Sequence, residues 1–246
     1  MEEHVYQQLY DLEDAHWWFR GRRAVLWAML RRAGVPERAG GARILDAGCG
    51  TGRNLAEFGR LGTAQGVDPS PQAIEFCRRR GLAEVEAGGL EALPFADGAF
   101  DLILATDVLE HVERDDVAAS ELRRVAAPGA LLVVTVPAYR WLWSQHDDSH
   151  HHLRRYTAGS LRRRLAAAGW RPVLITYFNS LLLPPIALVR TLARRRAPRD
   201  GRTDYQLTGA ALNRMLELPL RAEASLIARG ARFPAGVSIG VVCRPA

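Results

Sequence analysis

From residue 42 onward, short apolar runs alternate with stretches whose apolar positions recur at helical spacing. The runs Ala42 to Ala47, Thr63 to Asp68, Glu84 to Ala87, Phe100 to Thr106 and Ala130 to Pro137 read as parallel strands, with Phe100 to Thr106 and Ala130 to Pro137 the most continuously apolar, as strands buried on both faces are. Between them, 52–60, 71–80 and 114–126 read as helices, each opening near Thr, Pro or Asp and closing near Gly or Pro. This order predicts a doubly wound α/β sheet. Two more strands are expected at Arg171 to Phe178 and Val237 to Arg244, with about 58 residues between them. That interval far exceeds a hairpin and requires an inserted element. Upstream, Val25, Leu26, Met29 and Leu30 give an amphipathic helix over 20–33, ending near Gly34 and Pro36 and expected to pack across the mouth of the fold.

The chain has 246 residues, of which 48% are hydrophobic and 24% charged, enough apolar surface for one α/β unit and too much for a disordered or fibrous chain. The net charge is +6, and all 33 basic residues are Arg. Residues 1–185 are nearly balanced, whereas residues 186–246 hold 11 Arg against 4 acids. Such a basic quarter suits phosphate or anionic lipid, or solvated helix faces. The three cysteines form no CxxC pair, and the first 30 residues lack the apolar stretch of a signal peptide, so a cytoplasmic location is expected.

Ile44-Leu45-Asp46-Ala47-Gly48-Cys49-Gly50-Thr51-Gly52 is an apolar strand ending in an acid, then a glycine-rich turn into a helix. Bare backbone at such a turn lets a ligand approach closely. About twenty residues later, Asp68 stands at the end of the next strand, where a carboxylate can accept from both hydroxyls of a ribose. Asp46 would repel a pyrophosphate and favours an adenosine ligand with a cationic amino-acid portion.

Leu45-Asp46-Ala47-Gly48-Cys49-Gly50-Thr51-Gly52, Val67-Asp68-Pro69-Ser70, Leu93-Pro94-Phe95 with Phe100-Asp101-Leu102, and Pro128-Gly129 resemble, in that order, class I S-adenosylmethionine-dependent methyltransferases over residues 40–137. The resemblance implies a Rossmann-like seven-stranded methyltransferase sheet with a helical insertion before the last strand. It also implies S-adenosyl-L-methionine bound by Asp46, Gly48, Cys49, Gly50, Asn54, Asp68, Pro69, Gly89, Leu90, Thr106 and Asp107. Where many relatives carry an Asp for the adenine amino group, this chain has Gly88-Gly89. The expected organisation is a helical cap at 1–39, the cofactor-binding core at 40–178, a helical insertion at 179–235 and the last core strand at 236–246.

After the fourth strand, Asp107-Val108-Leu109-Glu110-His111 puts two carboxylates and an imidazole on one face of a turn. Similar Glu-x-x-Glu-His turns in ubiquinone-type and small-RNA ribose O-methyltransferases hold a cation. Asp107, Glu110 and His111, with His152 as fourth ligand, are therefore a candidate site for Mg²⁺ or another divalent cation; the alternative is that Glu-His only caps the helix or lines the cofactor floor. The loop 137–156 supplies aromatic walls, imidazoles and Arg forks. With His16-Trp17-Trp18-Phe19-Arg20-Gly21-Arg22-Arg23 it resembles a bacterial methyltransferase subfamily bearing paired His-Trp-Trp and His-Asp…His-x-Arg-Arg-Tyr signatures, matched here at His146, Asp147, His152, Arg154, Arg155 and Tyr156. The candidate catalytic residues are His111, His146, His152 and Tyr156, with His152 the preferred base. Trp18, Arg22, Trp141, Trp143, Arg154 and Arg155 are the candidate substrate contacts. The alternative for His146 and Arg155 is that they pin the loop.

The expected reaction is O-methylation of a small-molecule or lipid- or glycan-linked acceptor, with N- or C-methylation of a natural-product or sugar intermediate, or a noncatalytic cofactor-binding scaffold, as alternatives. Residues 178–190 are apolar but shorter than the roughly 20 residues of a membrane span and are interrupted by Pro184-Pro185. Followed by Arg194, Arg195, Arg196 and Arg199, they suit a peripheral membrane contact, a substrate lid or a homodimer face. No nucleic-acid partner is expected, since the chain lacks an evident recognition module.

Overall fold

In a computed structural model, which describes residues 3–35, 40–193 and 209–246, the seven expected strands are present and form one mixed sheet. They are β1 (Ala42–Ala47), β2 (Gly62–Asp68), β3 (Val85–Ala87), β4 (Phe100–Thr106), β5 (Ala126–Pro137), β6 (Trp170–Phe178) and β7 (Ser238–Pro245), in the spatial order β3-β2-β1-β4-β5-β7-β6. Strands β1 to β5 pair in parallel, and β7 runs antiparallel between β5 and β6. Sheet order reverses beside β1, which makes the C-terminal ends of β1 and β4 the crevice where ligands of open α/β sheets bind.

Alternate residues of each strand serve opposite cores. Leu45, Ile103, Leu132 and Val241 face α5 (Asp115–Val125) and α7 (Ala158–Ala167). Ile44, Leu104, Val133 and Val242 face α2 (Trp17–Arg32) and α9 (Ala210–Ala228). Helices α2 and α9 approach so closely at Gly21 that a Cβ there would lie 2.5 Å from Leu220 Cδ1. The remaining helices are α1 (Glu3–Leu12), α3 (Arg53–Phe58), α4 (Pro71–Arg79), α6 (Gln145–Ser149) and α8 (Leu183–Ala193).

Several boundaries differ from expectation for local reasons. Helix α2 starts three residues early because the His16 ring accepts the Trp18 N–H and caps it. Strand β5 starts at Ala126, not Ala130: Pro128-Gly129 forms an irregularity inside the strand, with Ala126 paired to Phe100 and Leu131 to Leu102. Helix α7, unassigned from sequence, is capped by a reciprocal Thr157–Ser160 pair in place of the usual Glu or Gln. The interval before β7 holds α8 and α9. The Arg194, Arg195, Arg196 and Arg199 cluster lies outside the described residues. Among the described residues, no helix is long and apolar enough to cross a membrane.

Candidate functional site

One cavity of about 720 Å³ lies over the C-terminal ends of β1, β2 and β4, with walls from α1, the start of α2, the 144–155 loop, α8 and α9. Its two ends differ in chemistry.

At the first end the backbone turns through Gly48 and Gly50. Both Gly48 and Cys49 donate their N–H to the Val67 carbonyl, at 2.8 and 3.1 Å. Gly48 has φ +74°, and a Cβ there would lie 2.3 Å from Val108 Cγ2, so both conformation and space demand glycine. Asp68 holds the loop from the next strand: its Oδ2 accepts Gly50 N–H and its Oδ1 accepts Ser70 N–H, each at 2.9 Å. Asn54 donates to the Thr106 hydroxyl at 2.9 Å, tying α3 to the end of β4. Gly48, Cys49, Gly50, Asn54, Asp68 and Pro69 all line this end. Tyr6 and Glu13 of the N-terminal segment also line it and were not singled out in the sequence. Glu13 accepts from the Thr51 hydroxyl and pairs with Arg80 at 3.1 Å, although burial pushes its carboxyl up. Gly89 and Leu90 lie outside the lining; Gly89 is exposed and Leu90 belongs to the core.

Asp46 lies just behind this loop, buried, with no side-chain partner for either carboxylate oxygen. Burial pushes its pKa up to about 7, against the pull of Arg22, with Glu13 and Asp68 adding like charge. A folded-state pKa above the unfolded value means stability is greatest below the ordinary carboxylate range and falls as pH rises through about 7. The cost at pH 8 is on the order of 4 kcal/mol. In the ligand-free protein, Asp46→Asn is therefore expected to raise the melting temperature by roughly 10 °C more at pH 8 than at pH 4. Thermal melts at both values check this; a gap independent of pH would remove the claim.

The second end is built from the turn after β4 and the 144–155 loop. Asp107 has φ +54° and gives its carboxylate to Arg22 of α2. Glu110 is fully buried and lines the cavity, with no partner for either oxygen; burial and the neighbouring Asp107 charge hold its carboxyl well above the usual range. His111 is pushed down to about 3 by burial and by His152 and His150. Burial likewise lowers His146, and lowers His150 to about 4, so these three imidazoles are neutral at neutral pH.

His152 is held from behind. Ser144 and Asp147 cap α6 reciprocally, and buried Asp147 then receives His152 Nδ1 at 2.8 Å and Arg155 at 2.7 and 2.9 Å. Its pKa is depressed below the carboxylate range, with the His152 and Arg155 hydrogen bonds overcoming burial. An ionised Asp147 can only accept, so Nδ1 carries a proton, and it is Nε2 that the neutral form of the ring offers as acceptor. Glu110, His111 and His152 each offer a ligand atom within 4.8 Å of the others, and this trio excludes Asp107, whose carboxylate Arg22 takes.

Trp18, Arg22, Asp107, His146 and Arg155 line the cavity, though the Arg155 guanidinium is engaged by Asp147 and the Ala138 carbonyl. Four of the candidate catalytic and substrate residues stand outside it. The Tyr156 hydroxyl donates to Asp115 at 2.8 Å, and Arg154 pairs with the same carboxylate at 3.1 Å. Trp141 is 52% exposed and stacks on Tyr139, while Trp143 donates to Asp148. Conversely, Asn179 at the end of β6 lines the cavity unheralded, with φ +56° and a buried Oδ1 lacking a partner.

A glycine-rich turn answered by an acid on the neighbouring strand, in a seven-stranded sheet with an antiparallel penultimate strand position, is the arrangement of class I methyltransferases. The family model described as "Methyltransferase domain" matches residues 45–134. The chain is 32% identical over 189 residues to an uncharacterized methyltransferase of Mycolicibacterium paratuberculosis (strain ATCC BAA-968 / K-10), covering 74% of this chain and 68% of that protein. It is 34% identical over 164 residues to one of Mycobacterium avium (strain 104), covering 64% and 63% of the two chains, so it spans under two thirds of that relative. Among solved structures, an S-adenosylmethionine-dependent methyltransferase from Mesorhizobium loti superposes with TM-score 0.57 at 18% identity, over 87% of this chain and 95% of that one. The chain belongs to the methyltransferase family.

Proposed function

We propose that the chain transfers the methyl group of S-adenosyl-L-methionine to an oxygen of a small-molecule or lipid-linked acceptor. One observation carries this reading: a single cavity joins the glycine loop and Asp68 at one end to a carboxylate-held imidazole, His152, at the other. The residues fit the cofactor, since Asp46 is a buried carboxylate without a side-chain partner and Gly50 lines the cavity with open space where a Cβ would stand. When bound, the cofactor supplies a sulfonium-activated methyl group. Asp46 would balance the charge of its amino-acid portion, Asp68 would accept from the ribose, and Gly48 and Gly50 would admit it against bare backbone.

His152 Nε2 would accept the proton of the acceptor hydroxyl as its oxygen is methylated, with Asp147 stabilising the resulting imidazolium. Helices α8 and α9 would roof the acceptor end. Labelled methyl transfer into a cell extract, partitioned between organic and aqueous phases, tests the activity. His152→Gln is expected to lower kcat by about 10²-fold or more with cofactor affinity unchanged; equal turnover would remove the base.

The buried, unpartnered Glu110 carboxylate favours a second reading, a divalent cation held by Glu110, His111 and His152. A cation there would lower the pKa of an acceptor hydroxyl, and the His152 lone pair would serve as ligand instead of base. Calorimetric titration with Mn²⁺ should then show one site, absent in Glu110→Gln, and chelation should reduce turnover. Absence of a site in the native chain would dismiss the cation.

A further inference from the structure

Helix α8 is apolar yet has no buried residue among those described: Leu188, Val189 and Leu192 are 60%, 65% and 50% exposed. Leu181, just before it, and Leu212, Met215 and Leu218 of α9 are exposed as well. In water such a surface is costly, and contiguous apolar exposure marks a face that meets something apolar. The same helix supplies Pro185, Ile186 and Val189 to the cavity wall, with Leu216 of α9 also in the lining. Val189 therefore belongs to both surfaces, lining the cavity while standing 65% exposed on the outside of the fold.

Charge narrows the occupant. Helix α8 carries no acid, and the two acids of α9 are turned inward: Glu217 pairs with Arg20 and Arg221, and Glu223 accepts the Ser180 and Leu181 N–H groups. Arg214 is exposed on α9, and Arg190 of α8 lines the cavity rim while donating to the Leu142 carbonyl. The outward formal charge of each helix is thus positive, set among exposed apolar side chains, and both helices reach the same cavity through Val189 and Leu216, the composition of interfacial helices on anionic lipid. A second protein seated there would cap the cavity, whereas a lipid surface leaves the apolar wall continuous with the phase that holds the acceptor.

We infer that α8 and α9 seat on an anionic lipid surface, and that the methyl acceptor is an amphiphile drawn from it, its tail lying along α8 and its polar head reaching His152. The identity of the head group as the methylated part rests on the activity proposed above; the lipid contact does not. The test is co-sedimentation of the full chain with phosphatidylglycerol vesicles and with phosphatidylcholine vesicles, beside sedimentation equilibrium without lipid. The chain should pellet with phosphatidylglycerol, bind phosphatidylcholine at least about 10-fold more weakly, and lose about 10-fold in binding on Leu188→Ser/Leu192→Ser. Calorimetry with S-adenosylhomocysteine should be unchanged in that variant, because neither residue lines the cavity. A chain left in the supernatant with both vesicles, or one that forms a dimer dissolved by the same double substitution, would overturn the inference. Failure of the methyltransferase reading would register separately, as native chain that pellets with vesicles but binds no S-adenosylhomocysteine.

Discussion

Asp68→Ala is expected to weaken S-adenosylhomocysteine binding by about 100-fold or more, the largest single loss at the cofactor end. Asp68 is buried, and burial raises its pKa against the Ser70 and Gly50 N–H groups that favour the ionised form. Each of its oxygens takes one of those N–H groups. A carboxylate offers about four acceptor positions, so the remaining two can receive the ribose hydroxyls. Hydrogen bonds to a charged group contribute about 1.5–3 kcal/mol each, and losing two gives the stated factor at about 1.4 kcal/mol per tenfold. The same substitution frees the Gly50 N–H and loosens the glycine loop, so the loss should exceed that from the ribose contacts alone. Asp68→Asn, which keeps one acceptor oxygen, should fall between the two. Calorimetry decides, with circular dichroism as the check on folding; affinity within a few-fold of the native chain would mean that the ribose is not held here.

What the sequence revealed and what it hid follow from the range of the interactions. The strands were legible because runs such as Ile103 and Leu104 serve opposite cores in alternation and so must be apolar at every position. The glycine turn was legible because the demand on Gly48 is local, a positive φ beside Val108. By contrast, the Arg22–Asp107 pair spans 85 residues, and nothing near either residue announces it. It removes Asp107 from the cluster expected to hold a cation. Tyr156 and Arg154 sat in a motif with His152, yet the chain turns between them and both groups are taken by Asp115, 41 residues away for Tyr156. Spacing within a loop does not reveal which side chains share a side. Asn179 carried no signal, because its place in the cavity wall follows from β6 ending beside it at a left-handed residue.

The ion pair behind His152 supplies the other large effect. Asp147→Ala should destabilise the protein by about 3–5 kcal/mol, because it leaves the Arg155 guanidinium, 2% exposed, without its counter-charge. For a chain of this size that corresponds to a fall of roughly 10 °C or more in melting temperature. The pH dependence has a definite sign: a depressed folded-state pKa gives stability that is complete above the ordinary carboxylate range and is lost progressively as pH falls from that range through the lowered value. The gap between native and variant melts should accordingly be constant from pH 5 to 8 and narrow in acid. His152→Gln separates structure from chemistry, since Gln can still donate toward Asp147 and Arg155 keeps its own bonds. That variant should melt within about 1 kcal/mol of the native chain while turnover falls. If it were destabilised as much as Asp147→Ala, His152 would be a strut of the loop; if Asp147→Ala melted like the native chain, the buried pair would not hold the loop at all, and His152 would have to be oriented by something else.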